Sequence, residues 1–142
     1  MTVSWTEPAR ELVDRLGIGL EAVWSLVFSA QGGALRLATV EPLDEDLALS
    51  DAAIGLAEAL AELEWARPEL AAGVSIDLGA VPWDAVISYR QSIAGLLAAA
   101  IEVVAGLLRD HAAELDTPDV LALARVVHLV AAARERVTGN LT

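Results

Sequence analysis

IAGLLAAAIEVVAGLL, from Ile93 to Leu108, carries one charge, Glu102. A helix that is apolar on nearly every face has to be buried by neighbours, by lipid or by a partner subunit. The run falls short of the ~20 residues that span a bilayer and holds a glutamate, so a buried core helix is the reading. The periodicity extends it to a long helix over about 82–113. Val86, Tyr89, Ile93, Leu96, Leu97, Ala100, Val104, Leu107 and Leu108 form its stripe. Its other side carries Ser88, Gln91, Gly95, Ala98, Ala99, Glu102, Ala105, Gly106 and Arg109, small enough for another backbone to come close.

Three further segments have helical period, separated by Gly and Pro. The first is expected over about 8–31, with Leu12, Leu16, Leu20, Val23, Val27 and Phe28 inward and Gln31-Gly32-Gly33 ending it. Its rival is a β-hairpin at about 22–40, since Trp24, Leu26 and Phe28 alternate with Ser25 and Ser29 before Gly32-Gly33. A second helix is expected over about 44–66, with Leu49, Ala53, Leu56, Leu60 and Leu63 as its stripe and Arg67-Pro68 as its stop. The last, about 117–138, opens on Thr117-Pro118-Asp119, a hydroxyl cap with proline and an acid in the first turn. Its expected stripe is Val120, Leu123, Val127, Val130 and Val137. The fold expected is therefore all-α, an antiparallel four-helix bundle forming one domain over 1–142, with α+β as the alternative if the hairpin forms.

Composition narrows the function. The chain has no cysteine, which excludes disulfides and thiolate chemistry, and all nine of its basic residues are arginine, which excludes lysine Schiff bases and P-loop lysines. A net charge of −12 argues against nucleic acid and anionic membrane as partners and favours a basic protein partner. The opening MTVSWTEPARELVDRL has no basic stretch followed by an apolar one, so a cytoplasmic location is expected.

Candidate chemistry is sparse. Hairpin register between the last two helices sets His128 level with Val103, next to Glu102. A carboxylate beside an imidazole in an apolar interior would share a proton and act as base and orienting acid. His111, in the last turn of its helix, suits a capping role. Neither histidine follows a glutamate by three residues, as a di-iron bundle needs, and no metal or other cofactor is expected. Trp24, Trp65, Trp83, Tyr89 and Arg90, together with the apolar connection 68–81, form a candidate rim for an apolar small molecule or a partner's anchor, with Arg90 level with Glu58. Two function classes result. One is a small acidic interaction protein of adaptor, chaperone, inhibitor or immunity type, homodimeric and without catalysis. The other is a ligand-binding bundle or cofactor-free isomerase or cyclase with a pocket at Glu102 and His128.

Overall fold

The computed structural model describes residues 6–40, 43–73, 75, 78–81 and 84–139, with backbone alone at 6–9 and 43–46. Within them the chain is all-helical, with five α-helices and two short 3-10 turns. These are α1 (Thr6–Leu16), α2 (Leu20–Ala38), α3 (Leu43–Ala66), α4 (Val86–Asp110) and α5 (Thr117–Thr138).

The expected first helix is two helices. Gly17, at φ +73°, takes the left-handed conformation that side-chain-bearing residues avoid, and the chain turns there from α1 into α2. Conversely, Gly32-Gly33 neither ends the helix nor turns a hairpin: α2 runs through both to Ala38. Gly33 is there because of a close approach. A Cβ at that position would lie 3.0 Å from both Ile93 Cγ1 and Leu78 Cδ1.

The neighbours along the bundle are α2 with α3, α3 with α5, α5 with α4 and α4 with α2, while α1 rests on α2 and α4. Arg67 binds Asp119 and Glu62 binds Arg125, so the end of α3 meets the start of α5 and the two run antiparallel. Trp24 near the start of α2 reaches Glu64 near the end of α3, and Gly33 meets Ile93 while Leu20 and Leu107 flank one cleft, so α2 opposes both α3 and α4. Hence α3 and α4 point the same way. The connection 67–85 has to return along the bundle, a span of roughly 36 Å for helices of this length. Its described residues are held to the helices as a strap. A 3-10 turn, Pro68–Ala72, buries Leu70, Leu78 is buried further on, and the Tyr89 hydroxyl donates to the Gly79 carbonyl at 3.0 Å. The expected extended piece around Val74 and Ile76 lies outside the described residues, as does the expected start of the long helix at Pro82.

At 25 residues, α4 is long and apolar enough by composition to cross a bilayer, contrary to the length estimate from Ile93–Leu108 alone. Its stripe is instead spent on the protein core: Tyr89, Ile93, Leu96, Leu97, Ala100, Val104 and Leu107 are all buried. Gly106 is buried as well, so it does not belong to the outer small-residue side where Gln91, Glu102, Ala105 and Arg109 are exposed.

In α5 the helix limits match expectation and Leu123, Val130 and Val137 of the expected stripe are buried, but the buried face is turned away from Val120. The buried residues are Ala122, Leu123, Val126, Val130, Ala133 and Val137, whereas Val120 and Leu121 are exposed. Asp116 rather than Thr117 is the N-cap, and its backbone N–H donates to the Asp119 carboxylate at 3.1 Å.

Candidate functional site: the outer face of α3 and α5

Helix α3 has two apolar stripes. Leu49, Ala52, Leu56, Ala59 and Leu63 face the core. On the opposite side Leu47, Asp51, Ile54, Glu58, Ala61 and Trp65 are all exposed, at alternating spacings of four and three residues. That spacing keeps residues on one seam of a helix, the geometry used to pack against another helix. Trp65 is 66% exposed and Leu47 and Ile54 about as much, 60% and 59%.

The neighbouring seam of α5 carries Leu121, Ala124, Arg125, His128 and Glu135, also exposed. The register set by Arg67–Asp119 and Glu62–Arg125 puts Trp65 beside Leu121, Ala61 beside Ala124, and Glu58 beside His128. Two adjoining open grooves run between the helices. One, of about 580 Å³, is bounded by Trp65, Leu121, Ala61 and Ala124; the other, of about 550 Å³, by Glu58, His128, Ala124 and Leu129. Alanines on both helices make the floor low, and large side chains stand at one end.

Ion pairs fix the two helices to each other. Arg67 holds Asp119 through two hydrogen bonds, Nε to Oδ1 at 3.1 Å and Nη2 to Oδ2 at 2.8 Å, with the Asp119 side chain buried. Hydrogen bonding from Arg67 holds the Asp119 carboxyl below the usual carboxylate range. Burial opposes this, and the Asp116 N–H supports it. Arg125 Nη1 meets Glu62 Oε1 at 2.8 Å on the open face, a solvent-exposed pair worth little on its own.

The aromatic and charged residues expected to form one rim do not come together. Trp24 is a core residue: it is buried, stacks on Phe28 at 4.9 Å, and donates from Nε1 to Glu64 at 3.2 Å. Tyr89 and Arg90 are buried in α4, while Glu58 faces the α3–α5 groove, so the expected Arg90–Glu58 pair does not form. Trp83 lies outside the described residues. Of the four that are described, Trp65 is the one that stands on the surface as a contact residue would.

Glu102 and His128 are both exposed, the first on the outer side of α4 and the second in the α3–α5 groove. They do not form a buried proton-sharing pair: hairpin register fixes their level and not the way each faces, and His128 lines the groove between α5 and α3. The carboxylate level with His128 is Glu58. His111 sits where its position suggested, as the C-cap of α4, with Nδ1 3.5 Å from Glu114 Oε2. Among the described residues no three His, Asp or Glu side chains gather as a metal site. Sequence reading singled out Trp65 but passed over Leu121, Arg125 and the Leu47–Ile54 part of its seam. The seven-residue spacing of Leu47, Ile54 and Ala61, on the side of α3 away from its leucine stripe, was the signal for them.

The chain matches no protein-family model, no curated protein and no solved structure.

Proposed function

We propose that this protein is a non-catalytic helical interaction module that receives a helix of another polypeptide on the outer face of α3 and α5. The observation that carries this reading is Trp65, two-thirds exposed beside the similarly exposed Leu121 at the end of an alanine-floored groove. A large aromatic held in water next to further apolar surface is the usual anchor of a protein contact. The groove is open and elongated, a shape suited to a helix laid along it. The outer face of α3 carries Asp51, Glu58 and the half-buried Glu62 and no base, so the helix received should carry an apolar anchor flanked by basic residues. The ligand or isomerase reading rested on a buried Glu102–His128 pair and an aromatic rim; the two groups are exposed on different helices, and Trp24 and Tyr89 are buried away from Trp65.

Photo-crosslinking tests the proposal. A photoreactive residue at Ala61 should join the chain to another polypeptide in a concentrated cell extract, whereas one at Gln91 on the exposed side of α4 should not. Equal yields from the two positions, or none from Ala61, would overturn it.

A further inference from the structure

We infer that the helix received by α3 is α5 of a second copy of this chain, the two copies closing face to face through their α3–α5 layers about a twofold axis parallel to the helices. This rests on the interaction reading above and names its partner.

Charge decides the partner and its orientation. On this face α3 presents Asp51, Glu58 and the half-buried Glu62 and no base, whereas α5 presents Arg125 and His128 against Glu135. A face-to-face pair has two twofold arrangements. An axis lying across the helices sets α3 on the partner's α3, acid against acid, which is repulsive at short range. An axis along the helices sets α3 on the partner's α5, which brings Glu62 to an arginine. Because α3 and α5 are antiparallel and level within one chain, the second arrangement keeps every row in step. Trp65 then covers the partner's Leu121, Ala61 meets the partner's Ala124, Glu62 faces the partner's Arg125 and Glu58 the partner's His128, while Asp51 falls level with the partner's Glu135, a like-charge row. One chain thus carries both halves of a matching surface, as an isologous interface requires.

The steric pattern agrees. The alanine row lies between the Trp65–Leu121 end and the Ile54 end, where helices can approach to about 8 Å. The Glu62–Arg125 pair within each chain is exposed and weak, so exchanging it for the same pair between chains costs little. The seam from Leu47 to Trp65 is roughly 27 Å long and two helices, about 20 Å, wide. That is on the order of 500 Å² per copy, near the lower end for a specific interface. The dimer is accordingly one that forms and dissociates with concentration.

The absence of native cysteine makes the test direct. Ala61→Cys and Ala124→Cys chains, distinguishable by a tag on one of them, are mixed and mildly oxidised. The mixed disulfide, from position 61 of one chain to position 124 of the other, should dominate. Trp65→Ala in both chains should cut its yield about ten-fold or more. Sedimentation of the unmodified protein should show mass rising toward twice 14.9 kDa with concentration. A predominant disulfide between two Ala61→Cys chains would overturn the axis proposed. A mass that stays at 14.9 kDa, with disulfide yield no greater than from Gln91→Cys, would overturn self-pairing. In that case a crosslink from Ala61 to a different polypeptide would leave the interaction reading standing, and absence of any crosslink would remove both.

Discussion

Gly32 and Gly33 are adjacent in one helix, yet alanine should act on them with opposite signs. In α2 either glycine costs about 1 kcal/mol relative to alanine through backbone entropy. At Gly32 a Cβ would meet nothing within 4 Å, so Gly32→Ala should recover most of that. At Gly33 the Cβ would sit 3.0 Å from Ile93 Cγ1 and Leu78 Cδ1, and Ile93 is fully buried in the core. Crowding of this kind costs roughly 1–3 kcal/mol. Set against the propensity gain, Gly33→Ala should be destabilising by about 1 kcal/mol. At ~2.1 cal/mol/K per residue, 142 residues give ~0.3 kcal/mol/K, so 1 kcal/mol moves Tm by about 3 °C. Thermal melts at low micromolar concentration should therefore separate the variants by roughly 6 °C, Gly32→Ala above the parent and Gly33→Ala below it. Shifts of the same sign and size would refute the close packing of α2 on α4. A large loss from both would point to the turn that the hairpin alternative required.

Two other perturbations read single contacts. Asp119→Asn should lower stability by about 1–3 kcal/mol at neutral pH, since the buried carboxylate loses its charge toward Arg67. The Asp119 carboxyl is depressed in the folded state, so its contribution is complete above the unfolded value near 3.9 and lost as pH falls through the folded one. Melts of parent and variant should therefore stay apart above about pH 5 and draw together as the pH is lowered; a gap that does not narrow in acid would contradict this. Tyr89→Phe removes the hydroxyl that holds Gly79 while leaving the ring in place. A loss of about 1 kcal/mol is expected, with faster hydrogen exchange confined to the strap; unchanged exchange there would show that Leu70 and Leu78 hold it without help.

Helix limits were legible in the sequence wherever polar punctuation was strong. The Arg67-Pro68 stop and the Thr117-Pro118-Asp119 start fall where the helices end and begin, and the stripe of α3 is buried residue for residue. Glycine was misread in both directions. Gly17 makes the turn that was assigned to Gly32-Gly33, while Gly33 serves contact with Ile93 and Leu78. Local sequence does not distinguish the two uses, because the second depends on what another helix brings up against it. The rotation of α5 failed for a related reason. Val120, Leu121, Leu123, Val126, Val127, Leu129 and Val130 leave few polar markers around the helix. Burial was settled by alanines, Ala122 and Ala133, that carry little weight in a periodicity count. The Glu102–His128 pair came instead from register along the helices, which fixes the level of a side chain and not the way it faces.

The proposed dimer has to form between two chains that each carry −12, so its dependence on salt follows from a contest between long and short range. Treated as point charges ~25 Å apart in water, two such chains repel by about 10 kcal/mol where the screening length is ~30 Å, at about 0.01 M salt. At about 0.15 M, with a screening length of ~8 Å, the same repulsion falls to about 1 kcal/mol. Spread charges make both figures upper limits, yet the difference greatly exceeds what salt takes from the matched rows. Those pairs are partly withdrawn from water and lie within a few ångströms of each other. Association should therefore tighten as salt is raised from about 0.01 to 0.15 M, the reverse of an interface held mainly by exposed ion pairs. Arg125→Glu should weaken it at every salt concentration, and Glu62→Arg in the same chain should restore it by reversing the pair. Sedimentation across that range reads both effects. A dimer that dissociates steadily over about 0.01–0.15 M would mean that ion pairs dominate the contact, and that the alanine floor with Trp65 and Leu121 does not supply the attraction assigned to it.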